Sequence, residues 1–216
     1  MVAVIRPTFK EERALLAQGF AIVAGVDEVG SGCLAGPVFA AAVIVPIDSG
    51  IGLIRDSKML SPSQRERLAE RLKNECAAWS VAQASVEEID RINIRQAGAL
   101  AMLRAIESLS LTPQFVLIDA FKIPGLRIPS KSIIRGDLHV KSIAAASVIA
   151  KVARDAHMEA LDVVHPGYGF AIHKGYATRR HQEALQKFGP SPIHRRSYAP
   201  VIAAARRYET GDGQDF

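Results

Sequence analysis

The sequence predicts an α/β layer fold, with a mixed sheet flanked by helices. Three observations predict it. Apolar runs of strand length come early, FAIVAGV at 20–26 and PVFAAAVIV at 37–45. Helical periodicity then alternates with further strand-like runs, among them QFVLID at 114–119. An alanine-rich segment over 142–163 suits a helix packed closely on a sheet. Strands followed by alternating helices and strands favour layers over a bundle or a sandwich.

Each element has a local reason. Lys10, Glu11, Glu12 and Arg13 open a short helix that ends at Gly19. Pro37 stands at the start of the second strand, where a proline is tolerated. Ser61, Pro62 and Gln64 form a strong helix start, because serine caps, proline fits the first turn and glutamine completes a capping box. That helix runs through Leu68, Leu72 and Cys76. A strand is expected at 79–84 and one helix over 86–109, with Leu100, Leu103 and Ile106 on its apolar face. A short strand is expected at 131–135. Gly and Pro at 166–169 break the alanine-rich helix, a further helix spans 178–188, and the tail 211–216 is expected to fray.

Composition narrows the class. The chain has 216 residues, 49% hydrophobic and 23% charged, which fits one globular domain and excludes a disordered chain. The uncharged run from Val29 to Ile47 is interrupted by Gly30, Gly32, Gly36, Pro37 and Pro46, so a glycine loop and a buried strand are expected there, not a membrane span. No leader segment is expected at the N-terminus. The two cysteines, Cys33 and Cys76, form no CxxC and read as reduced thiols of a cytoplasmic protein.

Acids stand where apolar strands end. Asp27 and Glu28 close the first run, Asp119 closes QFVLI, and Asp137 precedes the alanine-rich helix. A carboxylate beside a buried strand is costly unless a cation or hydrogen bonds compensate it. Converging carboxylates repel, and a hard divalent cation relieves the repulsion. Oxygen-only ligands favour Mg²⁺ or Mn²⁺ over zinc. Two such ions about 4 Å apart can clamp an in-line displacement at phosphorus. The spacing alone also fits four unrelated acids at strand ends and caps.

The loop from Val29 to Pro37 follows the first two acids. It is neither a Walker loop nor a dinucleotide fingerprint. Its glycines allow a ligand to approach the backbone, although GxG alone also marks a plain turn. Lys58, in Asp56-Ser57-Lys58, suits either a phosphate contact or a surface turn. His157 and His181 fall in expected helices and read as surface or packing residues. From His165 to Tyr208 eight basic residues, Lys174, Arg179, Arg180, Lys187, Arg195, Arg196, Arg206 and Arg207, face one acid, Glu183. Tyr168, Phe170, Tyr176, Phe188 and Tyr198 are interleaved with them. That pattern is a footprint for nucleic acid and equally fits a solvated basic face.

Six segments occur in order: GVDEVGSGCLAGPV, DSKMLS, LIDA, GDLHVKSIAAASVIAKVARD, HKGYATRRH and GPSPIHRRSY. Together they closely resemble the bacterial ribonuclease HII family, from about Gly25 to Val201. The resemblance implies a ribonuclease H-like fold with a C-terminal helical substrate-binding region. It implies a catalytic domain over residues 1–190 and a basic extension over 191–216 of the same structural unit. It implies hydrolysis of RNA in RNA–DNA hybrids and at single ribonucleotides in duplex DNA, with 3′-hydroxyl and 5′-phosphate ends and a need for Mg²⁺ or Mn²⁺. A monomer without membrane partners is expected.

Residue by residue, Asp27, Glu28, Asp119 and Asp137 match the family's metal-binding carboxylates. Gly30 and Gly32 match the loop that reads the ribose 2′-hydroxyl, with Ser31 between them. Lys58 matches a lysine near the scissile phosphate, and Tyr176 a tyrosine that packs on the sugar after the ribonucleotide. Arg195 and Arg196 are expected to touch backbone phosphates. Asp155 matches a further family acid and is expected a helix away from the metals. The family usually has arginine where this chain has Ser31. That departure opens an alternative, a nucleic-acid binder of the same fold with weakened catalysis.

Overall fold

The computed structural model describes residues 6–47, 49 and 60–210. Lys58, with Asp56 and Ser57, and the tail 211–216 lie outside the described residues. Five strands form one sheet: β1 Val23–Val29, β2 Val38–Ile44, β3 Ala78–Ala84, β4 Phe115–Asp119 and β5 Ser130–Ile133. Their order across the sheet is β3-β2-β1-β4-β5. β1 is antiparallel to β2 and parallel to β4, and β4 is parallel to β5, so the sheet is mixed as the sequence predicts.

β1 starts later than the apolar run suggests. Ala21 and Ile22 give their N–H groups to the Gln114 side chain, at 2.7 and 3.1 Å, before the ladder begins. At its far end the backbone continues pairing through Asp27, Glu28 and Val29, opposite Ala41, Ala40 and Phe39. The two acids therefore lie inside the strand, not beyond it. Backbone pairing is indifferent to side-chain polarity, which is why hydropathy misplaces the strand end.

The helices are α1 Lys10–Leu16, α2 Pro62–Glu75, α3 Val86–Ile92, α4 Ile94–Glu107, α5 Gly136–His139, α6 Lys141–Val164, α7 Phe170–His173, α8 Arg179–Phe188 and α9 Ala199–Thr210. α2 has the expected capping box on Ser61 and Gln64. The single helix expected over 86–109 is two. Asn93 at φ +67° breaks it, and its Oδ1 accepts the N–H groups of Arg95 and Gln96 at 3.1 Å, starting α4. Asparagine caps well through its side-chain oxygen, so one residue both ends and begins a helix. α9 was not expected; only Val201 and Ala204 of it are buried, too small an apolar face to stand out in the sequence.

Packing divides the chain into two compact units. The first comprises Met1–Val29, Phe39–Gln83 and Gly98–Ala153, and the second Gly30–Val38, Ala84–Ala97 and Arg154–Phe216. The first unit's largest core lays Ala144, Ala145, Val148 and Ile149 of α6 against Ala41 and Val43 of β2 and Leu72 of α2. Gly25 permits the close approach of β1 to α6, since a Cβ there would lie 2.2 Å from the Ser142 carbonyl carbon. α1 is tied in through Glu12, whose Oε1 accepts the Ser142 N–H at 2.9 Å. The second unit has its own cores, one around Met158, Tyr168 and Phe170 and one around Leu34, Leu185 and Val201.

Candidate active site

Asp27, Glu28, Asp119 and Asp137 all belong to the first unit. Asp27 and Glu28 project from adjacent positions of β1, and Asp119 is the last residue of β4. Asp137 sits in the first turn of α5. Asp119 is anchored to that helix, because its Oδ1 accepts the Gly136 N–H at 2.6 Å. Two left-handed, non-glycine residues flank these acids, Ala120 at φ +54° and Arg135 at φ +54°. Such backbone costs of order 1 kcal/mol or more per residue and clusters where a site is held in shape.

Asp27 and Asp137 are buried, at 5% and 7% exposure. Burial first, then the charges of Glu28 and Asp119, and last that of Asp137, hold the Asp27 carboxyl well above the ordinary carboxylate range; a hydrogen bond from Ser147 of α6 opposes them. The four acids are thus electrostatic neighbours. Among the described residues no group of three or more His, Cys, Asp or Glu side chains stands in an arrangement that would hold a metal ion. The set is an oxygen-only group under mutual repulsion, a donor chemistry that suits a hard divalent cation.

The glycine loop belongs to the second unit, and two buried arginines hold it there. Arg154 and Arg195 are both 0% exposed. Arg154 donates Nε to the Pro37 carbonyl at 3.1 Å, Nη2 to Ala35 at 3.1 Å and Nη1 to Lys174 at 2.9 Å. Arg195 donates Nε to Gly36 at 3.0 Å, Nη1 to Ser31 at 2.9 Å and Nη2 to Gly30 at 2.7 Å. Every guanidinium nitrogen is used on a backbone carbonyl. The phosphate contact expected of Arg195 is therefore not what the structure displays: the side chain is buried and acts on the loop instead. Arg196, next to it, is exposed.

The two glycines differ. Gly30 is buried at φ +96°, and a Cβ would lie 2.2 Å from Arg154 Nε. Gly32 is exposed, and a Cβ there would meet nothing of the protein within 4 Å. Gly30 thus seats the loop on Arg154, while Gly32 leaves its outer side open. Ser31 is half-buried, its carbonyl accepting from Arg195 and from the Tyr198 hydroxyl at 3.0 Å.

Tyr176 pairs with Cys33 of the loop in an isolated antiparallel bridge and is 37% exposed. Arg154 lies over its ring at 5.9 Å, and burial, with the Cys33 thiol next in weight, pushes its hydroxyl up to about 12. Cys33 is a buried thiol in no disulfide, its Sγ 3.6 Å from the Lys174 carbonyl. Asp155 follows Arg154 on α6 and is electrostatically near Tyr176. His181, read as surface or packing, is fully buried. Sequence reasoning missed Arg154 and Ser147 altogether; a charged residue inside an alanine-rich helix is the only sign of Arg154.

The family model for ribonuclease HII matches residues 24–201. The chain is 50% identical over 197 residues to the ribonuclease HII of Desulfitobacterium hafniense, covering 91% of this chain and 76% of that one. It is 51% identical over 200 residues to the ribonuclease HII of Anaeromyxobacter sp., covering 93% and 64%. The crystal structure of ribonuclease H2 from Pyrococcus horikoshii OT3 superposes with a TM-score of 0.74 at 27% identity, covering 87% of this chain and 99% of that one. Fold and sequence together define the class, hydrolases of ribonuclease H-like fold that act as endoribonucleases. The chain belongs to the ribonuclease HII family.

Proposed function

We propose that this enzyme cuts the RNA strand of RNA–DNA hybrids, and at single ribonucleotides embedded in duplex DNA, in the cytoplasm, leaving 3′-hydroxyl and 5′-phosphate ends. The observation that supports this most directly is the electrostatic convergence of Asp27, Glu28, Asp119 and Asp137. These four would hold Mg²⁺ or Mn²⁺, which when bound supplies an activated water and neutralises charge at the phosphate. The Gly136 N–H fixes Asp119 and the Glu28 N–H, 2.8 Å from Asp27 Oδ1, fixes Asp27, so each carboxyl is held in place by the backbone.

On this reading Gly30, Ser31 and Gly32 present backbone groups to the ribose 2′-hydroxyl, the one group that separates RNA from DNA. Gly32 offers the open face, and Arg154 and Arg195 keep the loop rigid behind it. Tyr176 lays its ring on the following deoxyribose, and Lys58 and Arg196 meet phosphates. Ser31 favours a second reading, a binder of weakened activity, because the family's arginine is missing.

One gel separates the two. A duplex with a single ribonucleotide is incubated with Mg²⁺, with Mn²⁺ and with EDTA. Cleavage on the 5′ side of the ribonucleotide or within an RNA tract, dependent on either ion, supports the enzyme. Retarded but uncut duplex in all three lanes supports the binder.

A further inference from the structure

Three histidines of the second unit, His173, His181 and His194, are at most 6% exposed and form one connected network. The backbone fixes every proton in it. The Ser191 N–H donates to His194 Nδ1 at 2.9 Å, so that nitrogen is bare and Nε2 carries the proton. His194 Nε2 lies 3.0 Å from His181 Nε2, which must then accept. His181 Nδ1 carries the remaining proton and gives it to the Tyr176 carbonyl at 2.9 Å. The chain can be read from either end with the same result, since a carbonyl can only accept and an amide N–H can only donate.

His173 completes the grip. Its Nδ1 accepts the Gly175 N–H at 3.2 Å, and its Nε2 donates to the Tyr168 carbonyl at 2.8 Å. The His173 and His181 rings stack at 4.2 Å with 13° between their planes. Phe170, fully buried, meets His173 edge-on at 79° and His181 at 84°. Neither ring can turn without displacing it. The two stacked rings therefore hold the N–H of Gly175, one residue before Tyr176, and the carbonyl of Tyr176 itself.

We propose that His181 and His194, relayed from Ser191, are positioning residues that fix the backbone of Tyr176 and so the place of its ring. The proposal rests on the reading that Tyr176 senses the deoxyribose after the ribonucleotide. None of the three imidazoles touches substrate on this account. Protonating any of them would set N–H against N–H, so the relay exists only with all three rings neutral.

The test has a spectroscopic and a kinetic arm. In the full chain with ¹⁵N-labelled histidine, His181 should show the Nδ1–H tautomer and His194 the Nε2–H tautomer at neutral pH. The opposite tautomers overturn the relay without any variant being made. The kinetic readout is the ratio of cleavage of a single-ribonucleotide duplex to cleavage of an all-RNA strand in a hybrid. Tyr176→Ala should flatten that ratio. His194→Leu should lower it about fivefold to tenfold, the factor one neutral hydrogen bond is worth. The double variant should be no worse than Tyr176→Ala, because both act through one ring. His194→Gln, which can still donate to His181 Nε2, should recover part of the loss.

A folded His194→Leu with an unchanged ratio, beside a flattened Tyr176→Ala, overturns the proposal. If Tyr176→Ala itself leaves the ratio unchanged, the sugar-sensing reading fails. The relay is then decided by the Tyr176 ring resonances, which must move in His194→Leu for the positioning role to stand. If His194→Leu does not fold, His194→Gln and the wild-type tautomers decide.

Discussion

Burial and three neighbouring carboxylates oppose the ionisation of Asp27. Its folded pKa is raised above the unfolded value, so the folded state holds its proton more tightly. Its contribution to stability is therefore largest at low pH and is lost as pH rises through the folded pKa. Asp27→Asn should abolish turnover by several orders of magnitude, yet raise the melting temperature in EDTA at neutral pH. A relief of about 1 kcal/mol would shift it by roughly 2–4 °C. Melting curves with and without EDTA check this, and a variant that melts lower in EDTA contradicts it. At position 31 the structure changes the meaning of the missing arginine. Arg154 and Arg195 already hold the loop's carbonyls, so an arginine there is not needed to shape the loop. Ser31→Arg should lower KM with little change in melting temperature. One charge-assisted phosphate contact is worth about 1.5–3 kcal/mol, or roughly tenfold to a hundredfold. The candidate acids were legible because a carboxylate beside an apolar strand is conspicuous in any sequence. Arg195 was not, because one arginine among eight basic residues looks like surface until its burial is known.

The loop 30–37 behaves as an element although it has little regular structure. Its shape depends on guanidinium forks, each placing three nitrogens on three carbonyls. Lysine cannot reproduce that geometry. In Arg195→Lys the Ser31 carbonyl keeps the Tyr198 hydroxyl and the Gly30 carbonyl keeps the Cys33 N–H, so the loss amounts to about one buried hydrogen-bond partner, at a cost of about 1–3 kcal/mol. The variant should melt lower and lose discrimination between ribose and deoxyribose, whereas Arg196→Ala should do neither. Thermal melts beside cleavage of matched RNA and DNA substrates check both. The helical segment around α7 and α8 has its own pH dependence. Burial pushes His181 down to about 4 and His194 down to about 3, from an ordinary 6.5. Between those values the unfolded chain binds more protons than the folded one. Stability should therefore rise with pH across that window and level off above about 6.5. A melting series from pH 7.5 down to 5 should fall more steeply in wild type than in His194→Gln; equal slopes contradict it. At this scale the sequence showed most long elements, since periodicity needs two or three turns to register. It concealed α5 and α7, of four residues each, and the Asn93 break, where one side chain outweighs a continuous apolar pattern.

Over the whole chain the charge balance is modest, +5, but its C-terminal placement sets the salt dependence of binding. The sequence alone counts eight basic residues after His165 as equal. The structure does not leave them equal. Arg195 is buried, and Lys174, half-buried, is paired with Glu159 at 2.5 Å. Arg179 is exposed but paired with Glu183 at 2.7 Å. Surface pairs of this kind are worth little and open readily, so Arg179 stays available to a phosphate. Arg180, Lys187, Arg196, Arg206 and Arg207 are exposed. If about four of these exposed cations reach duplex phosphates, log affinity should fall against log salt with a slope of about −3 to −4. Arg180→Ala and Lys187→Ala should each reduce the slope by about one if they are among those four, and weaken binding alike for hybrid and DNA duplexes. Arg195→Lys should leave the slope unchanged, because its guanidinium displaces no counterion from the duplex. Filter binding of an uncleavable duplex in EDTA from 50 to 300 mM salt measures all four. A slope near zero would remove this basic surface from substrate binding. A slope that shrinks with Arg195→Lys but not with the exposed cations would mean that the loop opens and turns its arginine outward when the duplex binds.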